Sequence, residues 1–187
     1  MAAKKIKIGF DLDGVVLYNP VRIFRPIAAF LKSLLGTKKY KLFYFPKTKV
    51  EKIVWSLIHK TSFKPAFGLK RLKSLVKSKK IEAYIITARY DFLKNDFEGW
   101  MKKINKNKIF KNVYYNKTNL QPNAFKEKMI NKLKLDIFVE DNWGVVQKLT
   151  KKVKKTRLYW ITNIFDKNIN YQYKFSNLDE ALKKINP

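Results

Sequence analysis

Short unbroken apolar runs alternate along the chain with stretches of helical periodicity. Residues 5–10 (KIKIGF) form the first run and end abruptly at Asp11. Residues 83–87 (AYIIT) end at a polar Thr-Ala-Arg turn, and a third run covers 112–115 (NVYY). Residues 136–139 (DIFV) end at Glu140-Asp141, and a fifth run covers 158–161 (LYWI). Runs without polar alternation suit strands buried on both faces of a parallel sheet. Between them, Leu69, Leu72, Leu75 and Val76 recur at helical spacing, as do Phe97, Trp100, Met101 and Ile104. Phe125, Met129, Ile130 and Leu133 mark a third helix entered through Pro122-Asn123. Val145, Val146 and Leu149 mark a fourth after Asn142. The alternation predicts an α/β fold, a doubly wound and mostly parallel five-stranded sheet.

The first two runs are too far apart for one crossover. Ile23, Ile27, Phe30, Leu31 and Leu34, then Val50, Ile53, Val54 and Leu57, give two extra helical patterns, with 40–45 (YKLFYF) as an extended link. We read residues 19–63 as a small helical cap inserted after the first strand, and residues 1–18 and 64–187 as the core. A cap in that position lies over the catalytic end of the sheet.

Composition excludes several chemistries. With no cysteine, there is no disulfide, thiolate zinc site, iron–sulfur cluster or thiol nucleophile. A single histidine, His59, argues against a Ser-His-Asp triad or a multi-His metal site. No apolar run is long enough for a membrane span and the start lacks a signal-peptide core, so the expectation is a soluble, cytoplasmic protein without a membrane partner. The charge is unusual: 42 basic against 14 acidic residues, net +28. A polyanion partner would explain it, through counterion release. Yet only Arg22, Arg25, Arg71, Arg89 and Arg157 are arginines, which leaves 37 lysines of the 42. An AT-rich coding sequence gives such an excess of Lys and Asn without selection for binding, and bidentate phosphate recognition would favour Arg.

In open α/β sheets, ligands bind outside the carboxyl ends of the strands. Asp11 and Asp13 follow the first strand, Thr87 the second, and Glu140 and Asp141 the fourth. Paired carboxylates at buried strand ends raise each other's pKa, and a hard cation such as Mg²⁺ relieves that repulsion. One carboxylate can attack phosphorus, and a second, two residues on, can serve as acid and then base. A lysine and a hydroxyl suit the transferring oxygens.

IGFDLDGVV, IITAR and a lysine ahead of FVEDN resemble the haloacid dehalogenase superfamily in its phosphatase form. The resemblance implies a Rossmann-like core with these roles: Asp11 the nucleophile and a metal ligand; Asp13 the general acid/base, its main-chain carbonyl on the metal; Thr87 on the phosphoryl group; Asp141, assisted by Glu140, completing a Mg²⁺ site. Ala88 and Arg89, which follow Thr87, are further substrate-binding candidates, with Lys126. The motif lysine is Lys126 or Lys128, with Lys126 preferred for its place at a helix start. Arg89 could equally pair with a carboxylate, and His59 reads more readily as a packing histidine. DFEGWMKKI, the EDN ending and YWITNIFDKN are similar to the 5′(3′)-deoxyribonucleotidase branch. The expectation is a Mg²⁺-dependent phosphomonoesterase acting on a phosphorylated small molecule, first of all a nucleotide. The alternatives are a phosphatase of nucleic-acid 3′ or 5′ ends and a basic nucleic-acid-binding protein on a degenerate phosphatase fold.

Overall fold

The computed structural model describes residues 5–21, 43–166 and 168–185. Strand β1 spans Ile6–Phe10, and the chain then turns through a short strand, β2, at Leu17–Tyr18. Helix α1 (Lys49–Lys60) opens with a reciprocal cap, in which the Thr48 hydroxyl accepts from the Glu51 amide while the Glu51 carboxylate accepts from the Thr48 amide. Then come β3 (Lys64–Pro65), α2 (Leu69–Lys77), β4 (Ile81–Thr87) and α3 (Lys94–Ile104). The second half contains β5 (Phe110–Tyr115), α4 (Pro122–Leu133), β6 (Ile137–Glu140), α5 (Trp143–Thr150), β7 (Arg157–Ile161), β8 (Lys174–Phe175) and α6 (Leu178–Lys183).

The main sheet runs β5-β4-β1-β6-β7-β8, all parallel. It has six strands where the sequence predicts five. The sixth, β8, is two residues long (Lys174, Phe175), too short to show a period, and its Phe175 packs on the Tyr159 ring. β2 and β3 pair antiparallel outside this sheet. The first helical pattern expected in the cap, Ile23 to Leu34, lies outside the described residues, as do residues 40–42 of the expected link. The second is α1. Its Val50, Ile53, Val54 and Leu57 stay at least half exposed.

Alternate residues of the central strands feed two cores, which explains why the runs carry no polar period. Ile8, Phe10, Ile85, Val139 and Tyr159 pack with Leu72 of α2, Phe97 of α3 and Leu182 of α6. Ile86, Phe138 and Trp160 pack on the other face with Met129 and Ile130 of α4 and Val146 and Leu149 of α5. Burying each large aliphatic side chain contributes about 1.5–3 kcal/mol. Helices cover both faces of the sheet among the described residues, and the carboxyl ends of the strands form its rim. Among the described residues, no helix is long and apolar enough to cross a membrane.

Candidate active site

Register brings the polar strand ends together. Phe10 lies opposite Ile85 of β4 and Val139 of β6. Asp11, the next residue, therefore leaves the sheet level with Glu140 and one residue short of Thr87, and its amide donates to the Val139 carbonyl at 2.9 Å. Asp11, Glu140 and Asp141 are all buried and present carboxylate oxygens within 4.8 Å of one another.

Lys126 enters this group from the second turn of α4, which starts on Pro122 with its preset φ. Its ammonium lies 2.6 Å from Glu140 Oε2 and 3.0 Å from Asp11 Oδ2, and the residue is 3% exposed. Lys128, two residues on, points to solvent. Burial works against charge on Lys126, but Asp11 and Glu140 outweigh it and hold the ammonium well above its usual range. Burial pushes Asp11 and Glu140 upward, with Asp141 adding to the rise on each and Lys126 opposing it. Glu140 also accepts from the Asn142 amide at 3.1 Å. The Asn142 side chain caps α5 by accepting from the Val145 amide.

Three carboxylates against one ammonium leave two negative charges if all ionise. That surplus of hard oxygen donors suits Mg²⁺. The glycine of the Asp-x-Asp-Gly turn is required here. Gly14 has φ +84°, and a Cβ on it would stand 1.9 Å from Asp141 Oδ2. Only a bare backbone lets the turn approach the carboxylate this closely.

Asp13 points away from this triad. Its Oδ1 and Oδ2 accept from Arg89 Nη2 (2.7 Å) and Nε (2.8 Å), and Oδ1 also accepts from the Ser62 hydroxyl at 2.5 Å. Burial would raise Asp13. The Arg89 guanidinium, with smaller help from His59 and Ser62, instead holds it well below the usual carboxylate range. Arg89 pairs with Asp96 as well, so it bridges two acids at the edge of the site. Thr87 is buried at the end of β4, where its hydroxyl accepts from the Arg89 amide at 3.3 Å.

The structure thus gathers Asp11, Lys126, Glu140 and Asp141 into one cluster and places Asp13 and Arg89 in another beside it. Sequence reasoning missed Ser62, Asn19 and Asp96. Asn19 and Ser62 are buried and joined, Asn19 Nδ2 donating to Ser62 Oγ at 3.0 Å. The one available signal was their place at the two ends of the inserted stretch.

No family model matches the chain, and no curated protein matches it. Solved structures do. A predicted phosphatase from Clostridium acetobutylicum superposes with TM-score 0.61 at 14% identity, over 97% of this chain and 98% of that one. A HAD-superfamily hydrolase from Ehrlichia chaffeensis gives 0.53 at 13%, over 97% of each chain. CbbY from Rhodobacter sphaeroides, solved in complex with phosphate, gives 0.53 at 10%, over 95% and 96%. At these identities the likeness is one of fold: a HAD-type Rossmann-like core.

Proposed function

We propose that this chain is a Mg²⁺-dependent phosphomonoesterase that works through an aspartyl-phosphate. The observation that carries the reading is the convergence of Asp11, Lys126, Glu140 and Asp141 at the carboxyl ends of the strands. Asp11, Asp141 and the Asp13 main-chain carbonyl, with Glu140 behind them, would hold Mg²⁺, which when bound offsets charge on the carboxylates and on the phosphoryl oxygens. Asp11 attacks phosphorus, forming an O–P bond as the ester P–O bond breaks. Asp13 gives the leaving oxygen its proton. Asp13 then takes a proton from water, which attacks phosphorus, releases phosphate and restores the Asp11 carboxylate. Lys126, the Thr87 hydroxyl and the backbone at Ala88 hold the phosphoryl oxygens. Paired with Arg89, which favours its charged form, Asp13 is held in the form that accepts a proton. To serve as acid, Asp13 first takes up a proton, supplied by a monoanionic phosphate ester, and after hydrolysis returns one to solvent.

For substrate we favour a phosphorylated small molecule, a mononucleotide first, as the 5′-nucleotidase-like features suggest. The +28 charge favours one alternative, a phosphatase of nucleic-acid ends. The test is a screen of mononucleotides, sugar phosphates and 3′- or 5′-phosphorylated oligonucleotides with Mg²⁺ and with EDTA. Release of phosphate from one class, lost in EDTA and restored by Mg²⁺, is the expected result. Undiminished release after exhaustive chelation, or none from any ester, overturns the proposal.

A further inference from the structure

Asp13 is gripped from two sides, and the second grip comes from the far end of the inserted stretch. Arg89, just past β4, forks both carboxylate oxygens and fixes the plane of the group. Ser62, two residues before β3, donates to Oδ1 from the other direction. Ser62 Oγ in turn accepts from Asn19 Nδ2, and Asn19 follows β2 directly. Asn19 Oδ1 accepts from the Val21 amide at 3.0 Å and lies 3.2 Å from the Thr61 hydroxyl, whose shorter contact is to the Ile58 carbonyl at 2.6 Å. The chain of bonds spans the antiparallel pair of β2 and β3, where Leu17 faces Pro65 and Tyr18 faces Lys64. Asn19 is 3% exposed and Ser62 1%. A buried hydroxyl spends its one proton where it is needed most. To tie the two crossings together, the Asn19–Ser62 bond would suffice. Ser62 makes that bond as acceptor and spends its own proton on Asp13.

We propose that Ser62, oriented by Asn19, is a positioning residue for Asp13, so that the two chain crossings between core and insert aim the acid at the leaving oxygen. The proposal rests on the phosphatase reading. Misaiming a proton donor matters only when the leaving group needs the proton, so the readout is kcat/KM, which reports through transfer to Asp11, for an alkyl phosphate against p-nitrophenyl phosphate. Ser62→Ala should lower kcat/KM for the alkyl ester about tenfold, within the ~10²–10⁴ that general acid catalysis supplies. It should leave the nitrophenyl ester within about twofold. Ser62→Thr, which keeps the hydroxyl, should restore the alkyl rate. Asn19→Ala, which leaves Ser62 in place, should shift the same ratio in the same direction and carries the test if Ser62→Ala does not fold. Equal losses on both esters, or no loss on either, overturn the inference. A wild type inactive on both esters, or an Asp13→Asn as active as wild type, overturns the phosphatase reading instead.

Discussion

Single residues decide the chemistry proposed for the rim. Asp11 is a carboxylate that burial and two acidic neighbours make costly to ionise, and Lys126 is what compensates it. Asp11→Asn keeps the shape but has no charge with which to attack phosphorus. It should cut turnover by about 10³-fold or more while the thermal midpoint stays near wild type. Phosphate release near the wild-type rate would remove Asp11 from the mechanism. Lys126→Met strips the single ammonium from three buried carboxylates. Breaking a buried ion pair from one side costs about 3–5 kcal/mol, less here if Glu140 keeps a proton. The midpoint should fall by several degrees, and Mg²⁺ should raise it more in the variant than in wild type. A midpoint unchanged by Lys126→Met in calorimetry would mean that the acids do not depend on it. Much of this cluster was legible because strand ends mark their own position: an apolar run stopping at an acid places that acid on the rim. Ser62 and Asn19 were not legible, since Ser62 meets Asp13 across 49 residues of chain. No hydrophobic period records such a bond.

Elements were legible where their periods were long. β4 and α4 carry a full pattern, whereas β8 and the six-residue α6 have too few positions to show one. Their place is fixed instead by contacts between elements. Asp179, in the first turn of α6, accepts from Arg71 Nε of α2 at 2.8 Å and sits 3.4 Å from Lys183 Nζ. The hydrogen bond from Arg71 is the largest cause that holds its carboxyl below the ordinary range. A depressed carboxylate stabilises the fold above its unfolded pKa, roughly 3.9, and that contribution is lost as pH falls through the lower folded value. Asp179→Asn should therefore melt below wild type at neutral pH, with the gap closing below about pH 4. A gap constant from pH 7 to pH 3 would show that the charge is not responsible. The same junction admits no side chain at Gly68, where φ is +109° and a Cβ would lie 2.5 Å from the Asp179 amide nitrogen. Gly68→Ala should cost about 1–3 kcal/mol by overpacking, read as a lowered denaturant midpoint.

Across the whole molecule, four of the 14 acids, Asp11, Asp13, Glu140 and Asp141, crowd one end of the sheet while 42 basic residues set a net charge of +28. Such a field draws any phosphorylated molecule toward the protein, so charge alone does not choose between a nucleotide and a nucleic-acid end. Salt dependence does. If lysines contact successive phosphates of a strand, affinity falls with log salt at a slope of about −0.7 per phosphate contacted. A mononucleotide brings one phosphate and should lose far less over the same range. The arginines suited to clamping phosphate are few, and Arg89, the one at the rim among the described residues, is already held by Asp13 and Asp96. We therefore expect kcat/KM for a deoxynucleoside monophosphate to match or exceed that for a 3′- or 5′-phosphorylated 12-mer. We expect both to decline gently between low and high salt. A large advantage for the 12-mer at low salt, collapsing as salt rises, would make the nucleic-acid end the substrate and turn the lysine excess into its binding surface.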